Sequence, residues 1–301
     1  MNAIHRSGYV TIVGPPNVGK STLLNRLMGQ KLAIVTPKPQ TTRNRLLGIL
    51  TRPSFQMIFV DTPGIFRPGY PLQKSMVETA VRALVETDLA LVMTDAAAGR
   101  HGDEDRILRL LSDGDRAAVL ALNKVDRVGD KKRLLPLIDR YHRTGLFREI
   151  VPISAITGDG VDDLLTTLSG LLPEGPQYYP EDMITESPDR FLAAEVIREK
   201  VFLRTGEEIP YSAAVKVDEY KDHGDSLFIK ATIYLERDSQ KAIVIGQKGA
   251  KLKEIGQLAR QELEAQTGRK IFLDLWVKVR RRWRHQSGDL KFFGYDGRRP
   301  R

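Results

Sequence analysis

Residues 14 to 21 read Gly-Pro-Pro-Asn-Val-Gly-Lys-Ser, the pattern G-x-x-x-x-G-K-[ST], and no other stretch restricts the fold as strongly. The pattern binds phosphate only where a strand turns into a helix. Both neighbours are predicted here. Tyr9-Val10-Thr11-Ile12-Val13 reads as a buried parallel strand, and the run from Ser21 to Leu27 places Leu23, Leu24 and Leu27 at helical spacing. Gly14 and Gly19 let the backbone wrap closely around phosphate with its N–H groups inward. Pro15, Pro16, Asn17 and Val18 fill the loop, and the helix entered through Ser21 and Thr22 adds partial positive charge. Lys20 reaches for the β- and γ-phosphates, and the Ser21 hydroxyl suits Mg²⁺.

Downstream, strands and helices alternate. Strands are expected at Leu46 to Leu50, Phe55 to Val60, Leu89 to Met93, Ala117 to Leu122 and Glu149 to Ile153. Helices are expected at Leu72 to Glu86, near Glu104 to Leu111, at Lys131 to Arg143 and at Val161 to Leu171. This alternation predicts an α/β fold, a doubly wound and mostly parallel sheet. The strand ends carry the chemistry. Asp61-Thr62-Pro63-Gly64 offers a carboxylate that can hold Mg²⁺ through water and a Gly64 N–H for the γ-phosphate. Asn123-Lys124-Val125-Asp126 offers a carboxylate for the paired N1–H and N2 amine of guanine, which adenine lacks. Asn123 is placed to tie that loop to the phosphate loop, the Lys124 stem to cover the base, and the Ser154-Ala155 backbone to meet the guanine oxygen. Such sheets bind ligands at the carboxyl ends of their strands.

These motifs together resemble a GTPase of the translation-factor-related class. The resemblance implies a switch threonine that closes on Mg²⁺ when GTP is bound, Thr42 in preference to Thr41. Ras-like relatives carry a catalytic glutamine directly after the D-x-x-G glycine. Here that residue is Ile65, which cannot orient water, so slow intrinsic turnover is expected. Asn17 resembles the asparagine that positions K⁺ in some related GTPases.

Pro173-Glu174-Gly175-Pro176 and the residues to Pro180 break periodicity. They divide the chain into a nucleotide domain over 1–176, a linker over 177–189 and a second domain over 190–301. The second domain begins with a helix capped by Ser187 with Pro188 as its first helical residue. Strands at Tyr211 to Val217 and Leu227 to Leu235 follow, then an apolar run into Gly246-Gln247-Lys248-Gly249, a helix from Ala250 to Thr267 and a strand from Lys270 to Val279. This order resembles a type II KH domain, whose tight G-x-x-G turn sets backbone and Lys248 against single-stranded nucleic-acid phosphates. Lys251 follows on the next helix. The stretch Lys278 to His285, with Arg280, Arg281, Arg282 and Trp283, adds phosphate-binding charge and an aromatic ring for stacking. From residue 269 to 301 there are eleven Lys and Arg against three Asp, a net of +8, while the 301-residue chain carries only +9. An anionic partner larger than a nucleotide is expected.

A P-loop GTPase followed by a type II KH domain, over nearly the whole chain, resembles the Era family of GTPases. Pro39-Gln40-Thr41-Thr42-Arg43, Tyr179-Pro180-Glu181-Asp182, Ile209-Pro210-Tyr211-Ser212 and Leu275-Trp276-Val277-Lys278-Val279 carry the same likeness. It implies a monomeric bacterial GTPase using GTP/GDP and Mg²⁺, which binds the 3′ end of 16S ribosomal RNA and assists assembly of the 30S ribosomal subunit. It also implies peripheral contact with the inner membrane. Residues 1–7 lack the apolar core of a signal peptide, and no run approaches the roughly 20 apolar residues of a membrane span. The absence of cysteine rules out disulfides and fits a reducing cytoplasm. The sequence leaves two rival readings. One is a membrane-associated signalling GTPase whose basic tail binds anionic lipid. The other is a GTP-driven RNA-modifying enzyme, for which the five histidines show no metal spacing.

Overall fold

The computed structural model describes residues 5–98, 102–114 and 116–297. They form two compact units. The first comprises the chain up to Ala33, Thr42–Gly69 and Gln73–Glu186. The second comprises Ile34–Thr41, Tyr70–Leu72 and the chain from Ser187 on.

The first unit is a six-stranded sheet of order β2-β3-β1-β4-β5-β6. Its strands are β1 (Arg6–Val13), β2 (Leu46–Arg52), β3 (Phe55–Asp61), β4 (Leu89–Asp95), β5 (Ala117–Asn123) and β6 (Glu149–Pro152). Only β2 runs antiparallel, against β3. The helices are α1 (Lys20–Met28), α2 (Pro71–Val85, in this unit from Gln73 on), α3 (Glu104–Ser112), α4 (Leu134–His142) and α5 (Val161–Leu171). Strands buried on both faces read as unbroken apolar runs rather than alternations, as Leu89-Ala90-Leu91-Val92-Met93 does. Their carboxyl ends bring Asp61, Asp95 and Asn123 to one rim.

The second unit holds α6 (Asp189–Arg204), α7 (Ile209–Ser212), β7 (Ala214–Asp222), β8 (Ser226–Leu235), α8 (Asp238–Ile245), α9 (Ala250–Thr267), β9 (Lys270–Val279) and α10 (Ser287–Phe292). β8 is central, antiparallel to β7 and parallel to β9. Alternation sends Ile229, Ala231, Ile233, Ile271 and Val277 to one face, where they pack with Val196 and Ile197 of α6 and Ile255, Ala259 and Leu263 of α9.

Three local expectations change. Tyr211 is helical, in the short α7, and the strand starts only at Ala214; Pro210 fixes a helical φ in the first turn there. α6 starts at Asp189, and Pro188 rather than Ser187 holds the cap position. Trp283 is fully buried. Its indole N–H donates to Ser212 O at 2.8 Å, and its ring packs on Phe293 at 4.9 Å. It is therefore closed to stacking with a base.

Candidate nucleotide site and nucleic-acid interface

The phosphate loop joins β1 to α1. Gly19 has φ 102°, and a Cβ there would meet the Asn123 side chain at 2.3 Å. Backbone and partner thus both require glycine. The Asn123 amide donates to Val18 O at 2.6 Å, and its oxygen accepts from Ala155 N at 2.9 Å. One buried side chain therefore fastens the phosphate loop to both the N-K-x-D and Ser154-Ala155 loops. Lys124, at φ 66°, donates from Nζ to Asn17 O at 2.7 Å and to Asp95 at 2.6 Å. Asp95 escaped the sequence reading; its only signal was an acidic residue at a strand's carboxyl end. Asp126 lies exposed on a single 3₁₀ turn, Val125–Arg127.

Ser21, Thr42 and Asp61 converge. The Ser21 hydroxyl donates to Asp61 Oδ2 at 2.7 Å and lies 2.9 Å from the Thr42 hydroxyl, which is itself 3.4 Å from Oδ2. Asp61 Oδ1 is buried without a hydrogen-bond partner. Two hydroxyls and a carboxylate with one unsatisfied oxygen fit a hard, oxygen-seeking divalent cation. Burial pushes the Asp61 carboxyl up to about 6, against the pull of Lys20. Burial also brings the Lys20 ammonium down to about 8, and its Nζ donates to Pro15 O at 3.0 Å. Buried charges of this kind mark a site built for charged ligands. Thr41 is kept apart from the cluster: its hydroxyl donates to Lys38 O at 2.9 Å. Thr62 donates to Ile12 O at 2.8 Å, and Ile65 N donates to Gly14 O at 3.2 Å. The Ile65 side chain is fully buried in the core. Gly64 faces Pro16 so closely that a Cβ would lie 2.9 Å from its nitrogen; Pro63 sits between Thr62 and Gly64 on the same strand-end loop.

In the second unit, α8 runs into the G-x-x-G turn and α9 leaves it. Gly246 (φ 72°), Lys248 (φ 50°) and Gly249 (φ 79°) all have left-handed backbones. A Cβ on Gly246 would strike Lys251 Cβ at 2.8 Å, whereas Gly249 faces open space. Gln247 and Lys248 are exposed at the tip. The turn opens on a groove of about 440 Å³ lined by Leu252, Lys253, Gly256 and Arg260 of α9 and by Leu273 and Leu275 of β9. Sequence reading missed this α9 stripe; a glycine inside a helix, flanked at helical spacing by cations, was the available sign. Arg281 and Arg282 lie elsewhere. They line a separate pocket with Arg237 and Asp238, at the start of α8, a helix about 12 Å long whose other end meets the turn. Arg280 is not a free cation: it pairs with Asp289 at 2.5 Å and covers the Phe292 ring at 4.2 Å.

The fold and the two sites define a P-loop GTPase domain followed by a KH domain. The family described as 50S ribosome-binding GTPase matches residues 9–124, and the KH domain family matches residues 208–284. GTPase Era of Lactobacillus delbrueckii subsp. bulgaricus is 50% identical over 293 residues, 97% of each chain. GTPase Era of Geotalea uraniireducens is 49% identical over 97% of this chain and 98% of its own. Among solved structures, a variant of Aquifex aeolicus Era bound to GDP·AlF4⁻ matches with TM-score 0.93 and 47% identity, covering 96% of this chain and 99% of that one. Era in complex with MgGDPNP and nucleotides 1506–1542 of 16S ribosomal RNA matches with TM-score 0.94 and 46% identity, covering 97% and 99%. The chain belongs to the Era family, and it is a GTPase.

Proposed function

We propose that this GTPase binds 16S ribosomal RNA near its 3′ end and serves assembly of the 30S subunit in the cytoplasm. The observation that carries the RNA reading is the G-x-x-G turn. Its left-handed backbone and the α9 N-terminus face open space at Gly249, beside a groove bearing Lys253 and Arg260. Phosphate can approach that backbone directly. A relative's complex with the same class of RNA supports the assignment. Crosslinking the GTP-loaded protein to cellular RNA and sequencing the recovered fragments tests it. Recovery scattered over unrelated RNAs, with no enrichment near the 16S 3′ end, would overturn it.

At the nucleotide, Ser21, Thr42 and Asp61 would hold Mg²⁺, which would supply charge neutralisation for the transferred phosphoryl group. Asp126 reads guanine. Lys20 and the loop from Gly14 to Ser21 bind and orient the phosphates. Ile65 is buried, so it cannot orient the attacking water; Asn17 would hold K⁺, whose charge would offset part of that developing on the phosphates. The switch passes along the chain. Thr42 stands in the Mg²⁺ cluster, while its neighbour's carbonyl, Thr41 O, accepts from Arg198 of α6 at 2.7 Å. Val35 N donates to Glu199 at 3.0 Å, and Lys38 donates to Phe202 O and Thr205 O. The segment 34–41 is thus clasped by α6, and γ-phosphate acts on it through one peptide bond.

A further inference from the structure

The face of the β7-β8-β9 sheet turned away from α6 and α9 carries aromatic rings and lysines in register. Phe228 of β8 stands opposite Phe272 of β9, Lys230 opposite Asp274, and Thr232 opposite Trp276. Phe272 is 50% exposed and Trp276 is 53% exposed, both on the edge strand. Two steps of the pleat separate them, about 13 Å. Lysine ammoniums flank the rings: Lys270 lies 5.3 Å from the centre of Phe272, Lys230 6.0 Å from Trp276 and Lys221 5.8 Å from Phe228. Lys216 and Lys278 stand on the same face, so five lysines meet three carboxylates, Asp218, Glu219 and Asp274. The Trp276 indole N–H donates to Asp274 at 2.8 Å, which fixes the ring on the surface. Among the described residues, Thr232 and Tyr234 of this face are buried, Tyr234 beneath Phe292 and Phe293, and Lys216 lies against Phe292, so the open part runs from Lys270 to Trp276.

We infer that this face is a second nucleic-acid surface, a platform on which bases of single-stranded RNA stack against Phe272 and Trp276 while Lys230, Lys270 and Lys278 meet the phosphates. Exposed rings on an open sheet among cations are the arrangement that stacks bases without reading sequence. Charge complementarity favours this occupant. A second copy seated face to face would set the five lysines against one another. A lipid surface would require a continuous apolar face sinking several ångströms into the headgroups, whereas Asp274 and Glu219 interrupt the rings here. The groove beside Gly249 lies between α9 and β9, so the two surfaces share β9 without sharing Phe272 or Trp276.

The inference rests on the reading that the chain binds RNA, and the test separates the two. The chain has two tryptophans, and Trp283 is fully buried, so fluorescence quenching by a stacked base reports on Trp276. The full chain is titrated with a mixed-sequence 12-nucleotide single-stranded RNA, with phosphatidylglycerol vesicles, and by self-dilution. RNA is expected to quench the emission. The double variant Phe272→Ala/Trp276→Ala is expected to lose roughly ten- to a hundred-fold in affinity for the 12-mer, with GTP affinity unchanged. Trp276→Phe is expected to restore most of the affinity without the quench. In a Gly249→Asp background the Trp276 quench persists at higher RNA concentration, even where groove binding is lost. Unquenched emission with unchanged affinity overturns the inference. So does a response to vesicles but not to RNA, or a parental dimer that the double variant dissolves.

Discussion

Thr41 and Thr42 are adjacent and chemically identical, and the fold puts them to different uses. Thr42 joins Ser21 and Asp61, while Thr41 turns its hydroxyl to Lys38 O and its carbonyl to Arg198. Thr42→Ala is expected to keep GDP affinity and lose most phosphate release, whereas Thr41→Ala keeps turnover; the reverse pattern in a phosphate-release assay would move the switch to Thr41. Asp126 is expected to set base choice. Asp126→Asn removes a charged, two-point hydrogen bond worth roughly 3–5 kcal/mol, a loss of a few hundred-fold or more in GTP affinity, and is expected to favour xanthine nucleotide. Equal parental affinity for GTP and ATP would contradict this role. Asn17 sits at φ 64°, so Asn17→Gly removes its side chain while keeping the backbone. Turnover is expected to be faster in K⁺ than in Na⁺ at equal ionic strength, and the variant to abolish the difference; identical parental rates in the two salts remove K⁺ from the mechanism.

At the scale of elements, the run from Lys278 to His285 shows what a sequence hides. It reads as one basic tract, and folding divides it. Arg280 pairs with Asp289 and Arg284 with Glu236, Trp283 enters the core, and Arg281 and Arg282 stay exposed. Nothing in local spacing says which cation meets a carboxylate from another element. Arg280→Ala is therefore expected to cost about 1 kcal/mol of stability, a fall of roughly 4 °C in the melting temperature of a unit this size. Neutralising Arg281 and Arg282 is expected to leave the melting temperature unchanged and weaken all RNAs alike. The log–log salt slope is expected to flatten by about 0.7 for each phosphate left without its cation. Equal melting and equal binding for both variants would contradict this division of roles. The nucleotide loops, by contrast, were legible because each motif is contiguous and ends a strand. The α9 stripe beside Gly249 was not, since Leu252, Gly256 and Arg260 differ little from any amphipathic helix until β9 is laid beside them.

For the whole molecule, the order of strands and helices defined the two architectures, because the period of apolar residues changes from buried parallel runs to alternation near residue 211. It could not place residues 34–41. They precede Thr42 in the nucleotide half, yet belong to the second unit through bonds to Arg198 and Glu199 over 150 residues away. A separation that long leaves no periodic trace. The central claim is that one chain joins a GTP site to an RNA site that depends on the G-x-x-G turn. Gly249 faces open space at φ 79°, so an acidic side chain there obstructs phosphate without crowding the core. The direct test is filter binding of a single-stranded 16S 3′-end oligonucleotide to the parent and to Gly249→Asp, with GTP affinity measured on the same preparations. RNA retention lost at oligonucleotide concentrations that saturate the parent, with GTP affinity near parental, is the predicted result. Parental RNA affinity in Gly249→Asp would contradict the account.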